Sequence, residues 1–167
     1  MTDVLDAIQA LTPAIRARAA DIERARRLPA DLAQSLAQAG LFRMATPKCI
    51  GGLELEPALI LRAIEAAGAA DASVGWCLMI GATSAMTAAY LPTEAAREIF
   101  GGAEVITGGV FAPAGRATID GDDYILDGRW QWASGSANCH WLAGGCLVME
   151  GAAPRLRADG APDERML

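Results

Sequence analysis

The spacing of apolar residues divides the chain into two parts of different character. Up to about residue 100, apolar side chains recur at intervals of three and four, which is the spacing of amphipathic helices. This spacing predicts helices over residues 2–27, 29–39, 57–67, 73–90 and 92–100. We expect Pro13 to restart the first helix and Gly40 to end the second. The first hundred residues are therefore predicted to form an all-α bundle.

The fourth predicted helix differs from the others because residues 72–93 carry no charged side chain. The stretch is long enough to cross a bilayer. Its content argues against that, since it includes small and polar residues such as Gly81, and its flanking charges, Asp71 and Glu94, are acidic rather than basic. We therefore expect a buried helix, capped by Ser73, at the centre of the bundle or in a subunit contact.

From residue 104 the period of the pattern changes to two, and glycine, β-branched and aromatic residues become frequent. The pattern predicts strands over residues 105–110, 116–119, 124–134 and 141–149. Asp120-Gly121 is a hairpin signal, and we interpret the paired glycines as turns. The predicted fold class is α+β. An N-terminal all-α helical domain, residues 1–103, precedes an incomplete antiparallel β-domain, residues 104–167.

Composition and charge exclude several classes of function. With 53% hydrophobic and 20% charged residues, the chain is predicted to bury a core. A net charge of −6 makes nucleic acids and anionic membranes poor partners. No targeting segment is visible, and the four cysteines form no C-x-x-C pair, so we expect reduced thiols and a cytoplasmic location. The only histidine, His140, leaves a metal site short of ligands.

Candidate chemistry is concentrated in the strand predicted over residues 124–134. Alternation would place Trp130, Trp132 and Ser134 on one face. One interpretation is a half-buried strand that packs its aromatic face onto the helices. The other is a binding surface for a planar redox ring, whose heteroatoms would form hydrogen bonds with Ser134 and the adjacent backbone. The sequence shows no nucleophile elbow, Rossmann fingerprint or Walker motif that would favour another chemistry.

Three segments in order carry a family resemblance: GGVFAPAGRA (residues 108–117), LDGRWQWASG (residues 126–135) and HWLAGG (residues 140–145). With the helical half, they resemble the acyl-CoA dehydrogenase superfamily, and within it the flavin-dependent aromatic and polyketide hydroxylases. The resemblance covers nearly the whole chain. It implies that the chain stops inside the middle β-domain, before a C-terminal four-helix bundle. A catalytic base is then expected beyond Leu167. The chain alone is expected to associate, to bind flavin weakly or not at all, and to be inactive.

The resemblance also implies a flavin cofactor, FAD or FMN. Six positions fall on the family's flavin-binding segments: Val110, Phe111, Ala112, Trp132, Ala133 and Ser134. The first three match a segment that lines the pyrimidine end of the flavin. Trp132, Ala133 and Ser134 match a second segment. In that segment the family's tryptophan borders the isoalloxazine, and the hydroxyl residue and the backbone contact the N5 and O4 edge of the ring.

The sequence departs from the family pattern at several positions. Phe111 and Ala112 replace threonine and glutamate, Arg116 stands where dehydrogenases carry a serine that holds the CoA thioester, and Ser84 stands where hydroxylases often carry histidine. The resemblance implies a monooxygenase that acts on a small organic substrate and receives reduced flavin from a partner reductase. It also implies a homo-oligomer, which is a tetramer in the family. The alternatives are an acyl-CoA dehydrogenase and a non-catalytic helical oligomerisation module.

Overall fold

The computed structural model describes residues 3–167, so the predicted helix start at residue 2 lies outside the described residues. The described chain forms two compact units. The first comprises the residues up to Gly108 together with Ser134–Trp141. The second comprises Gly109–Ala133 and Leu142–Leu167. The domain boundary between residues 103 and 104 stays a prediction.

The helices of the first unit lie where the apolar spacing predicts them. They are α1 (Val4–Ala17), α2 (Ala19–Ala25), α3 (Ala30–Gln38), α4 (Pro57–Ala70), α5 (Ala72–Ser84) and α6 (Thr93–Phe100). Pro13 lies inside α1, so the predicted restart is wrong, and the break falls at Arg18 instead. The buried stripe of α1 continues past Pro13 to Ile15, and this packing keeps the helix intact despite the missing N–H. Gly40 follows α3 at φ +77°, as its predicted role after the helix requires.

Two features fix the start of α5. The carboxylate of Asp71 accepts hydrogen bonds from the backbone N–H groups of Ser73 (2.9 Å) and Val74 (3.1 Å). The predicted cap, Ser73, is therefore wrong, because Asp71 satisfies two otherwise unpaired donors of the first turn. In addition, a methyl group added at Gly75 would lie 2.6 Å from Cα of Gly68 in α4. The backbones of α4 and α5 are thus in direct contact.

The apolar segment Ala72–Tyr90 is shorter as an α-helix than the spacing predicts, since Ala85–Tyr90 is a 3₁₀ helix. By length and composition alone, it is the one described segment that could cross a membrane. Its inner face, including Val74 and Leu78, is buried in the core of the bundle. Its outer face is exposed, with Tyr90 89% accessible. The prediction of a buried helix therefore holds for one face only.

The sheet consists of β1 (Thr107–Asp120), β2 (Asp123–Gly128), β3 (Trp141–Glu150), β4 (Ala153–Pro154) and β5 (Glu164–Met166). The strand order is β2-β1-β3-β4, and β5 pairs with β3. The pairings of β1 with β2, of β3 with β4 and of β3 with β5 are antiparallel. The predicted hairpin at Asp120-Gly121 is confirmed, with Gly121 at φ +62°. The two strands predicted over residues 105–119 form one continuous strand, β1.

The strand predicted to reach residue 134 ends at Gly128, six residues early. Gly128 is the last partner of β1, where it lies opposite Gly115. Beyond it, the ring of Trp130 lies over both glycines and over Gly144, where an added methyl group would sit 2.6 Å from the ring. The large ring needs this glycine-lined space, so the chain leaves the ladder and the alternation of faces ends.

Asp163 is a buried carboxylate that holds the end of the second unit. It accepts hydrogen bonds from Arg155 at 2.6 Å and pairs with Arg165 at 3.0 Å. The hydrogen bond from Arg155 is the main reason that the pKa of Asp163 lies below its ordinary value, and Arg165 adds to it.

Replacing Asp163 with asparagine is expected to lower the Tm near neutral pH, because two arginines lose a shared buried acceptor. The folded-state pKa is lowered, so this contribution is present above the unfolded pKa of about 3.9 and is lost as pH falls through the folded value. Thermal unfolding across acid and neutral pH measures it. The control Asp159→Asn removes an exposed partner of Arg157 and should leave the Tm unchanged. Equal Tm values for Asp163→Asn and wild type at neutral pH would contradict the role of this pair.

Gly75→Ala is expected to destabilise the protein by about 1–3 kcal/mol, because the added methyl group must push α4 and α5 apart. Gly68→Ala is the matched control, since its nearest neighbour would be 4.0 Å away. That control should be neutral or stabilising by up to about 1 kcal/mol. Urea unfolding followed by circular dichroism distinguishes the two, and equal midpoints would show that the helices are not in backbone contact.

Candidate functional site

The six residues that the resemblance assigns to flavin are distributed over both units. Ser134 belongs to the first unit, whereas Val110, Phe111, Ala112, Trp132 and Ala133 belong to the second.

Ser134 begins a turn that is tied to the helices of the first unit. The indole N–H of Trp76, in α5, donates to Oγ of Ser134 at 2.8 Å. Gly135 follows at φ +76° and turns the chain into a short 3₁₀ helix. At the end of that helix, Nδ2 of Asn138 donates to the carbonyl of Leu28 at 3.1 Å. The turn is therefore tied to the helices at both ends, through the hydroxyl of Ser134 and through the amide of Asn138.

The pair Trp76–Ser134 has the chemistry to bind one edge of a planar ligand. The ring of Trp76 is 55% exposed, so an aromatic surface is accessible beside the hydroxyl. A hydroxyl has one donor and two lone pairs, and the bond from the indole uses a lone pair. The indole and the hydroxyl together present a flat apolar surface next to a polar edge.

A small cavity lies behind the same turn. Its volume is about 10 Å³, and Gly135, Cys77 and Cys139 are among the residues that line it. This space holds about one water molecule at most. It is too small for a ring system, so a planar ligand at Ser134 has to lie on the open side of the turn.

The two cysteines beside this turn are poor nucleophiles. Burial raises the pKa of the Cys77 thiol, and the nearby charge of Asp71 adds to the effect. Burial, followed by the effect of Cys77, raises the pKa of Cys139 to about 11. Because the thiolate is the reactive form, both thiols are inert at neutral pH. In residues 3–167, no group of three or more His, Cys, Asp or Glu side chains is placed to hold a metal ion.

His140 is hydrogen-bonded to Ile106 within the first unit. Its backbone N–H donates to the carbonyl of Ile106 at 2.8 Å, and its Nδ1 accepts from the N–H of Ile106 at 3.1 Å. Since Nδ1 acts as an acceptor, the neutral ring carries its proton on Nε2. These two bonds join the segment that contains Ser134 to the chain just before β1.

In the second unit, Val110, Phe111 and Ala112 lie on β1. The side chain of Phe111 is 68% exposed, and the carbonyl oxygens of Phe111 and Ala112 lie against Gly145 of β3. Trp132 is 91% exposed and adopts φ +64°, which is rare for a large side chain. The single strand face predicted for Trp130, Trp132 and Ser134 is therefore wrong. The cofactor-binding roles of the six residues stay a prediction.

The role of Trp76 is not predicted by the sequence pattern. A tryptophan in an uncharged helix is usually a core residue, and nothing nearby in the sequence indicates a partner 58 residues away. The one local signal is that Trp76 directly follows Gly75. Because Gly75 faces α4, the side chain of Trp76 points away from that contact and is exposed.

Alkylation of the thiols tests the electrostatics of this turn. Cys49 is exposed and should react first with iodoacetamide, whereas Cys77 and Cys139 should react only at alkaline pH. The rate at Cys139 should rise with a midpoint near its pKa of about 11. Peptide mass spectrometry resolves the sites. Fast modification of Cys139 at neutral pH would show that the turn is open rather than packed.

Comparison with known proteins identifies the family. The profile described as "Acyl-CoA dehydrogenase, N-terminal domain" matches residues 6–100. The chain is 35% identical over 142 residues to an indole-3-acetate monooxygenase of Pseudomonas putida, covering 84% of this chain and 34% of that protein. It is 30% identical over 146 residues to a flavin-dependent monooxygenase, oxygenase subunit HsaA, of Rhodococcus jostii, covering 86% of this chain and 38% of that protein.

A solved structure with the same fold is XiaF from Streptomyces sp. in complex with FADH2 and glycerol. It superposes with a TM-score of 0.83 at 25% identity, over 98% of this chain and 41% of that chain. The chain thus spans well under half of the length of these proteins. The α+β fold class and the resemblance inferred from the sequence are both confirmed. Since the profile covers more than half of the chain, the chain belongs to the acyl-CoA dehydrogenase family, in which residues 6–100 form the N-terminal domain.

Proposed function

We propose that this protein binds a flavin, FAD or FMN, and takes part in the monooxygenation of a small aromatic substrate. The observation that carries the proposal is the hydroxyl of Ser134, held at a fixed turn beside the accessible ring of Trp76. A planar heterocycle with polar atoms along one edge fits that arrangement. The names of the two monooxygenases described above and the FADH2 complex of XiaF support it.

The residues of this chain contribute binding and orientation rather than bond chemistry. When bound, reduced flavin would supply the electrons that activate dioxygen for transfer to an organic molecule. The hydroxyl of Ser134 would lie at the polar edge of the ring, as the resemblance implies. Cys77 and Cys139 keep their protons at neutral pH and do not compete as nucleophiles.

Oxygenation fits this chain better than dehydrogenation of an acyl thioester. Arg116, at the position where the resemblance expects a serine for the thioester, is an exposed residue of β1 opposite Asp127. Ser84, at the position of an expected histidine, donates its hydroxyl to the carbonyl of Ile80 at 2.7 Å. A proton for the reaction must then come from a group other than Ser84.

The proposal extends to partners and location. Reduced flavin would come from a separate reductase, as the name "oxygenase subunit" of the Rhodococcus relative suggests. Exposed apolar side chains after α5, at Met86, Tyr90 and Leu91, favour a homo-oligomer. The four free cysteines are typical of a reducing compartment, which supports the cytoplasm.

Titration of the protein with FMN and with FAD, followed by visible absorbance, tests the cofactor. Titration to about 1 mM flavin detects binding as weak as about −4 kcal/mol. Ser134→Ala should weaken binding about 2- to 13-fold, which corresponds to the loss of one hydrogen bond of about 0.5–1.5 kcal/mol. The control Ser136→Ala makes the same change two residues away and should bind like wild type. A protein that spans the full length of these relatives and takes up neither flavin would refute the proposal.

A further inference from the structure

A groove on the first unit shares no lining residue with the turn of Ser134. Its volume is about 640 Å³, which is within the range of small-molecule sites. Among the described residues, Asp3, Gln38 and Arg43 supply its polar side chains, and no aromatic side chain lines it. The rest of the lining is mainly aliphatic and includes Val4, Ala7, Leu11, Leu53, Leu55 and Leu59. The groove therefore suits a ligand with an aliphatic body and a polar head.

Backbone hydrogen bonds hold one wall of this groove. The N–H of Leu53 donates to the carbonyl of Arg43 at 3.1 Å, and the N–H of Leu55 donates to the carbonyl of Met44 at 2.9 Å. The neighbours of Arg43 in the chain, Phe42 and Met44, are both buried in the core. The backbone of Arg43 is therefore fixed, and a preformed groove has little freedom to lose when a ligand binds.

Arg43 carries an unpaired donor beside the groove. Its Nε is buried, and no acceptor in residues 3–167 pairs with it. Buried donors in folded proteins are nearly always paired, so an unpaired one calls for an explanation. The guanidinium of Arg155 shows the paired arrangement, because it donates to the carboxylate of Asp163 from Nε at 3.1 Å and from Nη2 at 2.6 Å. Arg43 has the same two kinds of donor, and its Nε lacks a carboxylate from the described chain.

We propose that the groove binds an aliphatic monocarboxylate, whose carboxylate accepts hydrogen bonds from the guanidinium of Arg43. A planar guanidinium matches a carboxylate through two parallel hydrogen bonds, one of which can use Nε–H. Because no hydrogen bond holds Nε, a small rotation of the side chain is enough to present this edge to the ligand. The aliphatic body then covers Leu53 and Leu55. The inference does not rest on the proposed function, since no residue of the groove is assigned to flavin.

Asp3 is the opposing charge in the lining of the groove. Its carboxylate accepts a hydrogen bond from the backbone N–H of Leu5 at 3.0 Å and thereby caps α1. A ligand with an amine head would be attracted to Asp3 rather than to Arg43, so the sign of the ligand's charge distinguishes the two residues. The carboxylate of Asp3 is already engaged by the cap, whereas Nε of Arg43 is unpaired, and this difference favours an anion.

The test uses octanoate as the probe, with octanol and octylamine as ligands that carry the same chain and a neutral or a positive head. Each is added below its micelle concentration to the ¹⁵N-labelled protein, and the backbone amide and arginine Nε–H resonances are recorded by NMR. Octanoate should shift the Nε–H resonance of Arg43 and the amides of Leu53 and Leu55. Octanol should bind at least about tenfold more weakly, because it lacks the charge-assisted hydrogen bonds. Octylamine should leave the Nε–H resonance unchanged.

Two variants test the recognition of the head and of the body separately. Arg43→Met keeps an unbranched side chain and should weaken octanoate binding at least about tenfold. Its Tm should stay the same or rise, because no hydrogen bond is lost at Nε. Ala10→Phe fills the groove from the exposed side of α1 and should also weaken binding. The matched controls, Arg62→Met in α4 and Ala14→Phe in α1, change residues outside the lining and should bind octanoate as wild type does.

A third variant tests the sign of the charge. Asp3→Asn keeps a capping side chain and removes the negative charge, so it should tighten octanoate binding. The inference is wrong if octanoate leaves the Nε–H resonance of Arg43 unshifted, if octylamine shifts the groove amides more than octanoate does, or if octanol binds as tightly as octanoate. Octanol and Ala10→Phe decide the question if Arg43→Met does not fold. None of these results depends on flavin binding at Ser134, so the proposed function is tested separately.

Discussion

The close contact between the backbones of α4 and α5 is the constraint on which the first unit depends. It exists because Gly75 has no side chain where Gly68 passes, and a methyl group there would lie 2.6 Å from Cα of Gly68. Six residues later, Gly81 makes a similar allowance for the ring of Phe42, which would lie 2.5 Å from an added methyl group. With α5 fixed at both places, Trp76 is directed outward and reaches the turn at Ser134.

Most of the fold follows from local pattern. The period of the apolar residues predicts the helices, and glycines at positive φ mark ends that the sequence also predicts, such as Gly40 and Gly121. The errors have long-range causes. Gly144 and Gly145 were interpreted as a turn although they fall within the strand predicted over residues 141–149. They lie inside β3, where the ring of Trp130 occupies the space above Gly144. No local period reveals such a contact, and it is the same contact that ends β2 early.

The candidate site was predictable only in part. Ser134 is identified by its place in a family segment, and its hydroxyl is indeed held in a defined geometry. The orientation of Trp132 could not be predicted, because a positive φ at a non-glycine residue interrupts the alternation without leaving a mark in the sequence. Trp76 was missed because its partner is distant along the chain. Sequence pattern thus locates the polar group, whereas the packing of α5 decides how that group is presented.

The central claim is that a flavin binds at the turn of Ser134. Amide and indole NMR spectra of the ¹⁵N-labelled chain, recorded as FMN is added, test it most directly. The account predicts that the largest shifts fall on the indole N–H of Trp76 and on the amides of Ser134 and Gly135. It would be contradicted if FMN left these three unchanged and shifted other residues instead, for example those of the groove that α1, Arg43 and Leu59 line.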